Sequence, residues 1–370
     1  MSESFPHLIQ IEASDLKRIM DEIFNRLGVK KTERRVIIEY LMEASLSGYH
    51  SHGVMRIPMY AAGIQSGNMV PGATIDVVGE TASTLHLNAN KGMGPWTASK
   101  AMKQAVSKSL STGIGCVSVF NANDIARLGS YVEKPAREGY LTILMVNDAG
   151  GNPCVAPWGG TSPLLSTNPL AMGIPRNNGD PILIDISTGV SSEGRVKMLH
   201  NKGDKVPDGW LIDSQGESIS DPSLYFTSPK KAALLPLGSM IAGHKGFALS
   251  ILVDVLTGAL SGAGCSGLFR HDSDQNALFI LAIDPDKFIS KSVFSSHVDQ
   301  LVNNIKGSTK APGVDEIRVP GDGAYHERER QLKSGIEIDP SVWLSILKLM
   351  NELKIKEDYI PPYLEEINLP

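Results

Sequence analysis

Apolar side chains recur every three or four residues through the first 65 positions of the chain, and Gly28 and Gly48 interrupt the pattern. This spacing predicts successive amphipathic helices, each with one apolar face. We expect Ser14-Asp15 to cap the first helix and Thr32 to cap the second. The N-terminal part of the chain is therefore predicted to be a helical module. The apolar face of its first helix comprises Leu16, Ile19, Met20, Ile23, Phe24 and Leu27.

Beyond about residue 75, short apolar runs alternate with helical patterns, which is typical of α/β proteins. The run 141–146 is apolar almost throughout, so we expect a sheet with both faces covered. The polar stretch 201–228 is expected to be a surface excursion, and the long loop 150–175 to be functional. The predicted strands are 85–87, 114–120, 141–146, 182–184 and 278–283, and the predicted helices are 97–109, 129–138, 245–260 and 341–353.

Composition narrows the classes of function. The 370 residues suffice for two or three domains, and a net charge of -5 does not favour nucleic acid or an anionic membrane as partner. The apolar run 245–260 is shorter than the roughly 20 residues of a membrane span, so we expect a buried helix. Three cysteines without a CxxC pair argue against disulfides and zinc, and for a reducing compartment. Since no secretory signal is visible at the N-terminus, we expect a cytoplasmic protein.

A short segment near residue 50 concentrates the candidate chemistry. His52, Arg56 and Tyr60 follow one another at four-residue spacing, so on a helix they would share one face. Arg56 could hold a carboxylate while His52 passes a proton to the neighbouring oxygen, as a 2-oxo or 2-hydroxy acid dehydrogenase requires. Ser51 would cap this third helix. Pro58 fits only if the helix has barely begun there or kinks.

Four other motifs each admit a functional and a structural interpretation. His50 with His52 could bind zinc, but no third ligand with suitable spacing is present. The GxGxxG pattern at 262–267 follows a helix, which favours a flexible turn over a phosphate loop. Gly243-His244-Lys245-Gly246 starts the long apolar helix and is either an anion site or a cap beside a solubilising lysine. Asp185 closes a buried strand and either contacts a ligand or starts an Asx turn.

Further motifs occur in order along nearly the whole chain. They are Ser51-His52-Gly53-Val54 with Arg56 and Tyr60, Gly92-Met93-Gly94, Gly129 with Tyr131, Ala156-Pro157-Trp158-Gly159-Gly160, Thr167-Asn168-Pro169-Leu170, Asp185 with Ser187-Thr188, Pro207-Asp208-Gly209-Trp210, Gly243-His244-Lys245-Gly246 and Pro320-Gly321-Asp322. Together they resemble the malate/L-lactate dehydrogenase family of NAD(P)-dependent oxidoreductases. This family includes ureidoglycolate dehydrogenase, diketogulonate reductase and sulfolactate dehydrogenase, and it is distinct from the Rossmann lactate and malate dehydrogenases.

The resemblance implies an α/β fold of the non-Rossmann, L-sulfolactate-dehydrogenase-like type. Its mixed sheet would be covered by helices, with a helical N-terminal module. Residues 1–75 would be the helical part of a substrate and dimer domain, 76–310 an α/β region with the NAD(P)-binding domain, and 311–370 a C-terminal segment that returns to the first domain. It also implies an intertwined homodimer or higher oligomer with the active site between the domains. We expect no nucleic-acid or membrane partner and no metal.

The same resemblance implies roles for individual residues. His52 would exchange a proton with the substrate, while Arg56, with Ser51 and Tyr60, would hold the substrate carboxylate. The activity would be hydride transfer between a nicotinamide and C2 of a small 2-hydroxy or 2-oxo acid, such as malate or lactate. The cofactor would be NAD or NADP, with a slight preference for NAD. Its contacts would be Asp148, Asn168, Asp185, Ile186, Ser187, His244, Lys245, Gly321 and Asp322.

One segment departs from the family pattern. Members commonly read Asn-x-x-His-Ile-Gly-Arg-x-Gly, whereas this chain has Asp124 in place of the histidine and Ala126 in place of a glycine. The reference pKa of a carboxylate is about 2.6 units below that of imidazole, so Asp124 donates protons poorly unless burial raises its pKa. We keep Asp124 as a candidate catalytic residue that orients His52 or repels a second substrate carboxylate.

Three alternatives stay open at this point. Position 50 is often aspartate in the family and is His50 here, so positions 50 and 124 could have exchanged partners. The chain could instead reduce a cyclic imine carboxylate with the same proton donor. It could also be a catalytically impaired homologue that still binds the cofactor.

Overall fold

The computed structural model describes residues 8–149, 151–267 and 275–365. The N-terminal residues in which we see no secretory signal, and Gly150 of the long loop, lie outside the described residues. The helices are α1 (Ala13–Arg26), α2 (Lys31–Leu46), α3 (Ile57–Gln65), α4 (Gly94–Thr112), α5 (Gly129–Arg137), α6 (Glu193–Lys202), α7 (Ser239–Asp254), α8 (Lys291–Lys306), α9 (Asp322–Ser334), α10 (Pro340–Glu352) and α11 (Pro362–Glu365). The strands are β1 (Ile9–Ile11), β2 (Asp76–Glu80), β3 (Thr84–Asn88), β4 (Ile114–Ala122), β5 (Leu141–Asn147), β6 (Leu170–Ile174), β7 (Ile182–Ile186), β8 (Leu211–Asp213), β9 (Ser218–Ile219), β10 (Ala232–Leu234), β11 (Asn276–Ile283) and β12 (Ile336–Ile338).

A seven-stranded sheet lies at the centre of the molecule, in the order β2-β3-β4-β11-β5-β6-β7. β3 and β4 run parallel, and the other neighbouring strands run antiparallel. The apolar run that forms β5 is buried at most of its positions. α4 packs against β4 and β11, and α7 packs against β5. The prediction of a mixed sheet covered by helices is therefore confirmed.

A second hydrophobic core joins the two ends of the chain. It contains α1, α2, α3 and α10, with Phe24, Tyr60 and Trp343 among its largest buried side chains. β1 and β12, from opposite ends of the sequence, pair antiparallel beside it. The apolar face predicted for the first helix is buried at Leu16, Ile19, Met20, Ile23 and Phe24.

The predicted caps of the first two helices are wrong. α1 begins after Glu12, ahead of Ser14-Asp15, and α2 begins after Lys30, ahead of Thr32. Neither N-cap residue makes a side-chain hydrogen bond. The backbone carbonyls of Glu12 and Lys30 accept the first helical amides, so both helices start earlier than the capping side chains suggest.

The long apolar helix starts earlier and is more exposed than predicted. α7 begins at Ser239, bends at Ala242 (φ -138°, ψ 20°), and continues into a π-turn at Val255–Ala259. The stretch Ser239–Ala259 has the length and composition of a membrane-spanning helix. Within the predicted helix 245–260, four apolar side chains are more than a third exposed, so the prediction of a buried helix is wrong for one face. Ile241, ahead of the bend, is 93% exposed. The exposed apolar side chains that share this face or follow it are Ile251, Leu252, Val255 and Leu260.

The stretch 201–228 is not the polar surface excursion that we expect from its sequence. It contains β8 and β9, which form a three-stranded sheet with β10. Leu211 and Tyr225 are fully buried in a separate small core between this sheet and α6. Strands of two or three residues contain too few apolar positions to produce a periodic signal. The turn-rich sequence therefore does not indicate this small sheet.

Candidate active site

The sheet topology gathers several predicted site residues at one edge. β4 and β5 both run antiparallel to β11, and β5 and β7 both run antiparallel to β6. The C-terminal ends of β4, β5 and β7 therefore point the same way. Asp124, Asp148 and Ser187 follow these three ends directly or within two residues. Their loops leave the sheet along this common edge.

The segment that carries His52 and Arg56 is not one helix. Two single 3-10 turns, His50–His52 and Val54–Arg56, meet at Gly53 before α3 begins. A Cβ at Gly53 would lie 2.0 Å from Oγ of Ser45, so glycine lets this bend lie directly on α2. The prediction of one shared helical face is wrong, because the chain turns at Gly53. Pro58 lies in the first turn of α3, as its chemistry requires.

The side chains of Tyr60 and Arg56 do not share one helical face, but both contact Asp124. The Tyr60 hydroxyl donates to Oδ1 of Asp124 at 2.8 Å, and the Ala126 amide donates to the same oxygen at 3.1 Å. Nη1 of Arg56 lies 3.6 Å from Oδ2. Ala126 has a φ of +62°, which turns the chain back so that its amide faces the carboxylate. Tyr60, Arg56 and Asp124 thus form one polar cluster.

His52 is oriented by its neighbour in the chain. Oγ of Ser51 lies 2.8 Å from Nδ1 of His52, and no hydrogen bond of Nε2 occurs in the described part of the chain. Burial lowers the pKa of His52 to about 4, and the positive charges of Arg56 and Arg127 act in the same direction. Asp124 opposes this shift. The imidazole is therefore neutral near pH 7, with one ring nitrogen fixed.

Asp124 and Arg56 are both charged. Burial alone would raise the pKa of Asp124, but Arg56, His52 and the hydrogen bond from Tyr60 together hold it below its usual value. Asp124 is therefore a carboxylate and not a proton donor at neutral pH. Nε of Arg56 is buried and has no hydrogen-bond partner among the described residues. A buried donor of this kind needs an acceptor, which a bound carboxylate would supply.

A buried ion-pair network lies behind this cluster, and the sequence analysis missed it. Arg127 is 2% exposed, donates to Glu43 at 2.8 Å and to Asp185 at 3.1 Å, and stacks on the ring of Tyr49 at 4.0 Å. Arg328 of α9 binds the same Glu43. Burial raises the pKa of Asp185, against the effect of Arg127. The sequence feature that could have indicated this network is Arg127, which lies in the segment 121–129 that departs from the family pattern. Its partners, however, are remote in sequence.

Three of the predicted cofactor residues lie beside β6 and β7. Asn168 donates through Nδ2 to Oγ of Ser250 at 3.0 Å, which ties it to α7, while its buried Oδ1 has no partner in the described residues. Oγ of Ser187 donates to the carbonyl of Thr167 at 3.2 Å. Ile186, the last residue of β7, is 39% exposed beside them. Asn168 is fully buried against α7, whereas Ile186 is exposed at the end of β7 and Ser187 follows it.

The other predicted cofactor residues are more scattered. His244 and Lys245 are exposed on α7 just after its bend, and no ion pair of Lys245 occurs in the described residues. The bend at Ala242 starts a new helical segment, so the predicted helix start near Gly243 is partly right. The amide of Gly246 donates to the carbonyl of Leu237 and is therefore not a free donor for an anion. Asp148 accepts a hydrogen bond from the amide of Asn152 at 2.8 Å.

The C-terminal candidates lie against β7. Asp322 begins α9 and binds Nζ of Lys306 at 2.7 Å. A Cβ at Gly321, where φ is +105°, would lie 3.0 Å from the amide of Leu183. The backbone of Gly321 therefore packs closely on the strand that carries Asp185.

The remaining motifs are His50 with His52 and the glycine pattern at 262–267. His50 is exposed and lowers the pKa of Glu327, so its surroundings do not support an exchange of partners with Asp124. The pattern 262–267 forms a turn in which Gly262, Gly264 and Gly267 have positive φ values. Among the described residues there is no group of three or more His, Cys, Asp or Glu side chains that could hold a metal ion.

Comparisons with known proteins cover most of the chain. The family model described as malate/L-lactate dehydrogenase matches residues 11–347. Malate dehydrogenase from Pyrococcus abyssi is 33% identical over 351 residues, which are 93% of this chain and 94% of that protein. Delta(1)-pyrroline-2-carboxylate/Delta(1)-piperideine-2-carboxylate reductase from Pseudomonas putida is 30% identical over 90% of this chain and 94% of its own length. The structure of sulfolactate dehydrogenase from Methanocaldococcus jannaschii matches with a TM-score of 0.86 and 27% identity, covering 95% of this chain and all of the other.

Proposed function

Because this chain belongs to the malate/L-lactate dehydrogenase family and has its fold, we propose that it moves a hydride between NAD(P) and C2 of a small 2-hydroxy or 2-oxo acid. The chain is an oxidoreductase acting on the CH–OH group of hydroxy acids. The observation that supports the finer proposal is the buried Nε of Arg56, which has no acceptor among the described residues and lies in the same cluster as the neutral imidazole of His52.

Arg56 would bind the substrate carboxylate, and His52 would exchange a proton with the substrate oxygen. The carboxylate of the acid would accept hydrogen bonds from Arg56 and fix the position of C2. In oxidation, Nε2 of neutral His52 would take the hydroxyl proton, while Ser51 holds the other ring nitrogen. In reduction the imidazolium must form first. A carboxylate on Arg56 favours this step, because it offsets the positive charge that lowers the pKa of His52.

The residues near β6 and β7 fit a nicotinamide dinucleotide. The buried Oδ1 of Asn168 has no partner among the described residues, and it lies beside Ser187 and α7. The exposed ammonium of Lys245 next to the bend of α7 suits an anionic phosphate. When bound, the cofactor supplies the hydride-transfer chemistry, and the protein aligns it with the substrate. We propose Asp148, Asp185, Ile186, His244, Gly321 and Asp322 as further contacts around it.

The domain division and the oligomer are also proposals. A shared core and the β1–β12 pair support a substrate and dimer domain built from residues 1–75 and 311–370, next to the α/β region 76–310. The exposed apolar face of α7 supports a homodimer, because such a face is normally covered in an assembly.

A screen of 2-hydroxy acids with NAD and NADP, followed by absorbance of the reduced nicotinamide, tests the activity. His52→Ala should lower kcat at least ~10²-fold and leave cofactor affinity nearly unchanged, since it removes the general acid-base. Arg56→Ala should mainly raise KM for the acid. An unchanged kcat in His52→Ala would contradict the role of His52, and equal losses for a neutral carbonyl substrate would contradict the carboxylate clamp.

Reduction of a cyclic imine carboxylate is the second candidate. The ionised Asp124 beside Arg56 would favour the positive charge of a protonated imine, and one relative carries the name of such a reductase. Assaying a 2-oxo acid with and without a primary amine separates the two reactions. Cofactor binding by calorimetry without turnover of any acid or imine would instead support an impaired homologue.

A further inference from the structure

We propose that Asp124 makes the site selective for acids with a single anionic group and unfavourable for dicarboxylates such as malate. The inference rests on the proposed function, because it concerns the substrate that Arg56 holds. It differs from the activity named for the Pyrococcus relative, whose substrate carries two carboxylates.

The geometry places a carboxylate at the substrate clamp. Oδ2 of Asp124 lies 3.6 Å from Nη1 of Arg56. Oδ1 is fixed by the Tyr60 hydroxyl and the Ala126 amide, so the carboxylate cannot swing away without losing two hydrogen bonds. A group bound to Arg56 therefore lies within a few ångströms of Asp124.

The other arginine that acts on His52 is already paired with two carboxylates, so it does not offer its charge to a second anionic group of the substrate. The charged residues that act on His52 are Arg56, Asp124 and Arg127. Arg127 donates to Glu43 and Asp185 and is almost fully buried. Among these residues, only Arg56 has a buried donor without a hydrogen-bond partner in the described part of the chain, and one substrate carboxylate would satisfy it.

The balance of charge then decides which acid binds. Arg56 and Asp124 offset each other, so a monocarboxylate adds one negative charge to a nearly neutral cluster. A dicarboxylate adds a second negative charge within reach of Asp124, in a partly buried place where like charges repel strongly. The expected penalty is at least about tenfold in affinity, which corresponds to about 1.4 kcal/mol.

Malate and its 4-amide provide a matched pair, because they have the same shape and differ by one charge. The ratio of kcat/KM for the amide to that for malate should be at least about tenfold in the unmodified protein. Asp124→Asn keeps an acceptor for Tyr60 and Ala126, and it should reduce this ratio about tenfold. Asp315→Asn, at an exposed acid, should leave the ratio unchanged. Asp124→His should also shift the preference towards malate.

Calorimetric affinities of both ligands for the cofactor-loaded protein give a readout that does not need turnover. The same preference for the amide, reduced in Asp124→Asn and Asp124→His, would support the inference even if neither acid is oxidised. Absence of turnover with every acid and both cofactors would contradict only the proposed function. A preference for malate in the unmodified protein, or an unchanged ratio in both folded Asp124 variants, would overturn the inference.

Discussion

Single residues set the proton chemistry of the site, and Arg56 is the charged residue with the largest effect on the pKa of His52. After burial, Arg56 is the largest influence that lowers the pKa of His52 to about 4. Between this value and the unfolded value of 6.5, the unfolded chain binds more protons than the folded one. The contribution of His52 to stability is therefore full above pH 6.5 and is lost as the pH falls towards 4.

Arg56→Gln should raise the pKa of His52 from about 4 towards 6.5, because it removes a positive charge. An NMR titration of the His52 ring measures this directly. Arg18→Gln, which removes an exposed arginine on α1, is the matched control and should leave the titration in place. A His52 ring that titrates at the same pH in both variants would contradict the electrostatic assignment.

Ser51→Ala should lower kcat about tenfold with little change in KM, because Nδ1 of His52 loses its fixed partner. The start of α6 packs on the same turn, since a Cβ at Gly194 would lie 2.9 Å from that of Ser51. Ser51→Thr keeps the hydroxyl and is the conservative comparison. Steady-state kinetics in both variants measure the effect, and equal activity in Ser51→Ala and the unmodified protein would refute it.

At the scale of elements, the buried network around Arg127 holds separate parts of the chain together. Glu43 comes from α2, Arg328 from α9, Glu133 from α5 and Asp185 from β7. Arg127 also stacks on Tyr49, whose carbonyl accepts the amide of His52. The network thus connects the turn of the proposed proton carrier to the strand of the proposed cofactor contacts.

Arg127→Met should lower the free energy of unfolding by about 3–5 kcal/mol, because it leaves Glu43 and Asp185 buried with less compensation. Arg330→Met removes two ion pairs of a more exposed arginine and should cost no more than about 1 kcal/mol. Urea titrations of both variants make the comparison. A loss below about 1 kcal/mol for Arg127→Met would show that the network contributes little to stability.

At the scale of the whole molecule, the exposed apolar face of α7 is the feature that the single chain does not account for. Ile241 is 93% exposed, and Leu252 of the same helix and Val255 of the π-turn that follows are about half exposed. The same helix carries Lys245 and, through Ser250, contacts Asn168. If α7 lies at a dimer interface, the same helix takes part in dimer assembly and in cofactor binding.

Leu252→Glu should convert the proposed dimer into monomers, because it places a charge in an apolar interface. Sedimentation analysis at several protein concentrations measures the change. Leu110→Glu, at a similarly exposed leucine on α4, is the control and should leave the assembly intact. A monomeric unmodified protein, or one that partitions with lipid vesicles through α7, would contradict the proposed interface.

Sequence periodicity predicted most elements correctly because each reports a local apolar face. The strand β5 and the helix α1 are examples, and their buried residues are those that the spacing indicates. Periodicity failed where the decisive contact is remote. Gly53 bends the chain because it must fit against Ser45, and the short strands β8 and β9 gain their core from β10 and α6.

By itself, the sequence determined the fold class, the family and the identity of the candidate residues, because these depend on local patterns and ordered motifs. Only the tertiary structure decided how those residues meet. It brought Asp124 from the end of β4 to Arg56 and Tyr60 of another segment, and it partly buried this carboxylate beside a cation that keeps it ionised. Charge at a site depends on distance and burial, and neither can be read from positions along a chain.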